Sequence, residues 1–230
     1  MDNHKTILII AAHPDDEILG CGGTMARLAE EGNEVHILIM AEGLTSRDNT
    51  RDRESRKNEL SELSLTAKNA GDIVGAKSVE LMDFPDNRMD GVDRLDVIKV
   101  IERKVEEIQP SVIFTHFAND LNIDHRITND AVITACRPMP GQIVKEIYFF
   151  EVPSSTEWQV GGRIFTPNYF ISLTEGQFLK KRKALEVYKS EMREFPHSRS
   201  IEAVEALAKW RGATCGYPFA EAFIVGRKVV

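Results

Sequence analysis

The sequence predicts an α/β fold in which a mostly parallel sheet carries helices on both faces. Three observations carry this reading. The apolar, largely β-branched runs Thr6-Ile7-Leu8-Ile9-Ile10 and Ser111-Val112-Ile113-Phe114-Thr115 have the near-continuous hydrophobicity of strands buried on both sides. Segments with helical spacing of apolar residues lie between such runs, so strands and helices alternate along the chain. Finally, 230 residues with 42% hydrophobic content suffice for one substantial core, which makes a single domain over 1–230 the simplest count.

Taken in order, the first strand is followed by Gly20, Gly22 and Gly23. They lack the GxGxxG spacing of a dinucleotide-binding loop and suit close helix–strand packing instead. A helix over Met25-Ala26-Arg27-Leu28-Ala29-Glu30 ends at Gly32, and Val35-His36-Ile37-Leu38-Ile39-Met40 is the second strand, with His36 structural. The polar segment 42–56 reads as a mobile loop. Helical spacing resumes through Leu60, Leu63, Ala67 and Ala70, ahead of a strand at Ser78-Val79-Glu80-Leu81-Met82. A helix over about 95–108 has apolar positions Leu95, Ile98, Val100, Ile101, Val105 and Ile108 and stops before Pro110. The strand 111–115 comes next, then a helix over 126–136, a break at Arg137-Pro138-Met139-Pro140-Gly141 and a strand at Ile147-Tyr148-Phe149-Phe150. The stretch 152–167 has little periodicity and reads either as a substrate-facing excursion or as a connecting loop. Helices near 175–189 and 201–211 and a closing strand over 222–226 complete the chain.

Both of the strongest strands end in chemistry. Ala11-Ala12-His13-Pro14-Asp15-Asp16-Glu17 sets a histidine and two consecutive aspartates at a strand's carboxyl end, where open α/β sheets bind ligands. Capping of the next helix accounts for one aspartate but not for the histidine and the pair. The strand 111–115 leads into His116 and then Asn119-Asp120-Leu121-Asn122-Ile123-Asp124-His125-Arg126. In a doubly wound sheet the two clusters can converge. His13, Asp16 and His125 would then give zinc three protein ligands, with a fourth position open for water. The same donors accept Fe2+ or another divalent ion.

The pattern strand–AHPDDE–Leu-Gly-x-Gly-Gly, matched by residues 11–23, together with Asp124-His125, resembles the LmbE-like (PIG-L) family of zinc-dependent N-acetylglucosaminyl de-N-acetylases. The similarity extends to Pro85-Asp86-Asn87-Arg88 and to Tyr217-Pro218-Phe219-Ala220-Glu221-Ala222-Phe223. The resemblance implies a Rossmann-like fold, one catalytic zinc and hydrolysis of an N-acetyl group, usually from an amino sugar. Several family members carry His-Pro ahead of the Asp-His pair, where this chain has Asn122-Ile123.

On that reading a metal-activated water attacks the acetyl carbonyl and Asp15 is the general base that later protonates the leaving amine. Asp124 either orients an imidazole or caps the helix that His125 begins. Asn122 and His116 are both candidates for steadying the oxyanion. Arg47, Arg56, Asn87 and Arg88 are candidate substrate-binding residues, since guanidinium and amide groups bond sugar hydroxyls well. The substrate would be an amino sugar or its conjugate, possibly nucleotide-linked. The alternatives are an amidase acting on a non-sugar N-acyl compound and a non-catalytic sugar-binding relative.

Composition narrows the classes further. The net charge of −7 argues against a nucleic-acid surface. No run of about 18 apolar residues exists to span a membrane. Met1-Asp2-Asn3-His4-Lys5 leads directly into a short strand, which predicts no targeting segment. Cys21, Cys136 and Cys215 are odd in number and widely spaced, the pattern of a reducing compartment, so the expected location is cytoplasmic. Cys21, among glycines, suggests packing more than ligation. The 152–167 stretch and the aromatic C-terminal segment could support a homo-oligomer.

Overall fold

The computed structural model describes residues 4–230; residues 1–3, part of the segment expected to carry no targeting signal, lie outside the described residues. Strands β1 (Thr6–Ala11), β2 (Glu34–Ala41), β3 (Ser78–Phe84), β4 (Val112–His116), β5 (Glu146–Phe150), β6 (Tyr169–Leu173) and β7 (Phe219–Lys228) form one seven-stranded sheet, in the order β3-β2-β1-β4-β5-β7-β6. The strands from β3 to β5 are parallel, and β7 runs antiparallel to both β5 and β6. The α/β, mostly parallel expectation is thereby borne out. No helix among the described residues is long and apolar enough to cross a membrane.

Among the described residues six α-helices cover the sheet: α1 (Asp16–Glu30), α2 (Lys57–Val74), α3 (Arg94–Ile108), α4 (Ile123–Ala135), α5 (Glu175–Val187) and α6 (Ile201–Cys215). The pleat of β1 divides the core in two, because successive side chains point to opposite faces. Ile7, Ile9 and Ala11 pack with residues of α1, α2 and α5, whereas Leu8 and Ile10 pack with residues of α3 and α4. Each fully buried Ile or Leu there contributes about 1.5–3 kcal/mol relative to an exposed one. After β1 the chain builds outward to β2 and β3, then crosses back to lay β4 on the other side of β1. The reversal of strand order between β1 and β4 opens a crevice at their carboxyl ends, and both motif clusters lie there.

Two elements differ from the sequence reading. β6 is absent from it: Tyr169, Phe170 and Ile171 favour a strand, but the element is only five residues long, lies at the sheet edge and follows a stretch without periodicity. Helix α1 begins at Asp16, nine residues before Met25, and is broken by non-helical dihedrals at Cys21 (φ −150°, ψ 26°). Glycine weakens a helix interior, so the run through Gly20, Gly22 and Gly23 gives little local encouragement. Tertiary groups supply it. Glu221 of β7 accepts from the amides of Gly23 (3.1 Å) and Thr24 (2.7 Å), taking up donors freed by the break. Lys181 of α5 donates to the Leu19 carbonyl (2.8 Å) and to Glu221 Oε1 (2.5 Å). A Cβ on Gly20 or Gly23 would run into Phe150 or Leu173, so these glycines also permit the close packing read from the sequence.

The Lys181–Glu221 pair is buried, which gives a testable consequence. Lys181→Met keeps the apolar stem but strands the Glu221 carboxylate. Chemical denaturation should show a loss of about 3–5 kcal/mol. A loss below about 1 kcal/mol, the range of exposed pairs, would show that the two main-chain amides alone hold Glu221.

Candidate active site

The loop after β1 turns sharply at Asp15, whose φ of 109° is rare for a side-chain-bearing residue and costs on the order of 1–3 kcal/mol. Its conformation is fixed from several directions. The Asp15 amide donates to Glu17 Oε2 (3.0 Å), and its carbonyl accepts from the amides of Ile18 and Leu19. Glu17 is buried, accepts from the Tyr188 hydroxyl (2.7 Å), and is pushed by burial to a pKa of about 7. The turn sends Asp15 and Asp16 in different directions. Asp16 Oδ2 accepts from the His13 amide (2.9 Å) and lies 3.2 Å from His13 Nδ1.

From the other cluster, α4 presents His125, whose Nε2 lies 3.1 Å from Asp16 Oδ2. His13, Asp16 and His125 each offer a ligand atom, all within 4.8 Å of one another, and so form a group that could hold a metal ion. The residues fit such an ion on independent grounds. Asp16 Oδ1 and both ring nitrogens of His125 are buried without a hydrogen-bond partner among the described residues, and such unspent polar atoms are costly unless something binds them. Burial alone would raise the Asp16 pKa, but His125 and His13 hold it well below the usual carboxylate range.

Each of the two histidines has a carboxylate on its other nitrogen. Asp124 Oδ2 lies 3.0 Å from His13 Nε2, and Asp120 Oδ1 lies 3.1 Å from His125 Nδ1. Such outer carboxylates set the tautomer and orientation of a ligating imidazole. A second overlapping group, His13, Asp86 and Asp124, is occupied by the protein itself. Asp124 accepts from the amides of Asn87 (2.7 Å) and Met89 (3.0 Å), while Asp86 accepts from Ser46 and from Asn87 Nδ2. The α4 cap falls to Asn122, whose side chain accepts from the Asp124 amide. Asp124 is therefore not the capping residue.

The two oxyanion candidates sit differently. His116 is wholly buried, stacked on His125 with centroids 3.9 Å apart, and its Nε2 accepts from the Ala12 amide (2.7 Å). Burial and the nearby His125 hold it neutral, well below its usual pKa. Asn122 is partly exposed, and its Nδ2 donates to Asn87 Oδ1 (2.7 Å). Asn87 is thereby brought to the group, on a backbone with φ of 52°.

The three arginines proposed from sequence are all engaged by the protein. Arg47 donates to both oxygens of Glu191 (2.6 and 2.8 Å), and Arg56 pairs with Asp48 and Glu59. Arg88 donates to the carbonyls of Asp48 and Asn49. The segment 42–56 carries a short 3-10 turn at Thr45–Arg47, and Glu42 accepts from Thr45 and Arg51. Sequence reasoning missed a fourth arginine. Arg199, between α5 and α6, donates Nη1 to Asp15 Oδ2 (2.9 Å) and Nε to Ser154 Oγ (2.6 Å). Burial raises the Asp15 pKa, Arg199 opposes the rise, and the neighbouring Asp16, Glu191 and Glu17 add to it, leaving it well above the ordinary value. Nothing in the residues around Arg199 marks it in sequence.

Fold and site together define a doubly wound α/β protein with two histidines and a carboxylate gathered at its switch point. The chain belongs to the PIG-L family, described as GlcNAc-PI de-N-acetylase, whose profile matches residues 8–136. It is 31% identical over 194 residues (82% of this chain, 93% of the relative) to YaiS of Escherichia coli (strain K12), an uncharacterized deacetylase. Among solved structures it is similar to N,N'-diacetylchitobiose deacetylase from Pyrococcus horikoshii, with TM-score 0.76 and 20% identity, covering 98% of this chain and 85% of that one. A TM-score of 0.77, at 23% identity and 98% coverage of both chains, relates it to GalB, the 4-carboxy-2-hydroxymuconate hydratase of Pseudomonas putida KT2440. The family takes its description from a de-N-acetylase, and these three relatives are two deacetylases and one hydratase.

Proposed function

We propose that this protein is a zinc-dependent hydrolase that removes the N-acetyl group of an amino sugar or amino-sugar conjugate. The observation that supports it most is the pairing, at one switch point, of a metal-capable group with an aspartate held beside it in a strained turn. His13, Asp16 and His125 would hold the ion. A bound divalent ion would polarise the acetyl carbonyl and make a water acidic enough to be deprotonated near neutral pH.

The remaining steps fall to the chain's own side chains. Asp15 accepts a proton from the attacking water, whose oxygen bonds to the acetyl carbon. As the C–N bond breaks, Asp15 returns that proton to the amine; the second water proton passes from the new carboxyl group to the amine as well, so acetate and an ammonium group leave and the enzyme is unchanged. Asn122 suits the oxyanion better than His116 does, because Asn122 is partly exposed and its Nδ2 has a second N–H beside the one given to Asn87, whereas the His116 ring is buried and its Nε2 accepts a hydrogen bond. Asn87 and the arginines would face the sugar, provided Arg47, Arg56 and Arg88 exchange their present partners for its hydroxyls. The free thiols Cys21, Cys136 and Cys215 support a cytoplasmic location.

The test is metal content of the purified protein measured with acetate release from N-acetylglucosamine, N,N'-diacetylchitobiose and nucleotide-linked conjugates. One zinc per chain and zinc-dependent acetate release are expected. Bound zinc without acetate from any of these sugars would move the reading to a non-sugar amide, or to water addition across a double bond, the hydratase chemistry named for GalB, in which no acyl group leaves.

A further inference from the structure

The unassigned stretch after β5 is tied to both halves of the candidate site. Ser154 Oγ accepts from Arg199 Nε (2.6 Å), and Arg199 in turn holds Asp15. The next two residues reach the other half: the Ser155 hydroxyl donates to Asp120 Oδ1 and the Thr156 hydroxyl to Asp120 Oδ2 (2.5 Å). Asp120 is the carboxylate beside His125 Nδ1. The turn that presents these three hydroxyls is itself rigidly tied. Thr156 Oγ1 accepts from the Val152 amide, the Val152 carbonyl accepts from the amides of Ser155 and Thr156, and the Glu157 carboxylate accepts from the amides of Ser154 and Ser155. Ser154 holds a φ of 70°, an unfavourable backbone for serine, and Ser155 and Thr156 are buried.

We propose that residues 154–156 form a brace that positions the base and a metal ligand from one rigid turn, through two separate lines. Ser154 fixes Asp15 by way of Arg199, and Ser155 with Thr156 fixes His125 by way of Asp120. These are positioning residues, not catalytic ones. The inference rests on the hydrolase reading for the role of Asp15, but the His125 line needs only metal binding. Its physical content is that two neighbouring serines, each one oxygen atom richer than alanine, control different quantities. A hydroxyl that donates to Asp120 keeps that carboxylate oriented toward the imidazole, and the loss of an outer partner of a ligating histidine weakens metal affinity. A hydroxyl that accepts from Arg199 affects the alignment of Asp15, which enters only when the proton moves.

The experiment compares Ser154→Ala with Ser155→Ala. Zinc affinity is read by chelator competition, and kcat and KM are read at saturating zinc with an acetylated amino sugar. Ser155→Ala should weaken zinc binding about tenfold, with lost turnover recovered by added zinc. Ser154→Ala should leave zinc affinity within about twofold and lower kcat about tenfold with little change in KM. Because alanine at φ 70° is strained, Ser154→Gly is the companion variant: it tolerates the backbone, lacks the hydroxyl, and should show the same fall in kcat. Both serines shifting the same quantity, or melting temperature falling with no split between affinity and kcat, would overturn the brace, as would wild-type kcat in Ser154→Gly. If the wild-type protein releases no acetate, the hydrolase reading fails by itself. The zinc measurement on Ser155→Ala then decides the proposal, and an affinity within about twofold of wild type sinks it.

Discussion

Asp15→Asn is expected to retain about one zinc per chain and to lose turnover by about 10²–10⁴-fold, the usual contribution of a positioned general base. Asparagine is the informative substitution because it keeps the size of the side chain and tolerates positive φ, so the turn at 109° survives. Its carbonyl oxygen can still accept from Arg199. What it cannot do is take a proton from water. Loss of zinc together with turnover would instead make Asp15 a ligand and Asp16 the free carboxylate, reversing the two roles. Turnover within about tenfold of wild type would require another base, for which Glu17, the carboxylate that accepts from the Asp15 amide, is a candidate although it is buried against Tyr188.

His125→Ala should abolish both zinc binding at micromolar concentrations and turnover. Of the three residues that could hold the ion, His125 is carried by the second cluster, so its removal leaves only two donors from a single loop. The change also strips Asp120 of its imidazole and removes the ring that stacks on His116. The measurement is the stabilisation that zinc confers. A ligand at 100 times its Kd stabilises the folded state by about 2.7 kcal/mol, which raises the melting temperature of the wild-type protein. That rise should vanish in the variant. A full zinc-induced shift in His125→Ala would exclude it from the ligand set and point to the alternative group of His13, Asp86 and Asp124.

The parts of this site that could be read from sequence are those where covalent neighbours share a chemical task. His13, Asp15 and Asp16 stand within four residues at the end of an unmistakable strand, and Asp124 and His125 follow a second strand of the same kind. Their convergence follows from the topology once β1 and β4 are adjacent. Arg199 could not be found that way, since it approaches Asp15 across 184 positions from a loop with no periodic pattern. Asp120 was in view as part of the second cluster, but its function depends on the angle at which α4 leaves the sheet. The start of α1 was misjudged because local propensity argues against a glycine-rich helix, and the groups that compensate, Lys181 and Glu221, come from the last quarter of the chain.

The place of β7 between β5 and β6 has a consequence for biosynthesis. Among the described residues the edge strand β6 pairs in the sheet only with β7, which follows the other six strands in chain order. The same strand brings Glu221 to the break in α1. As the chain leaves the ribosome, its first five strands can therefore collapse into a parallel sheet, with His13, Asp16 and His125 all made before β7. The helix that Asp16 begins still waits for its final cap until the closing residues arrive. A molecule cut short before β7 would carry every candidate metal ligand yet lack the carboxylate that takes up the Gly23 and Thr24 amides at the break in α1.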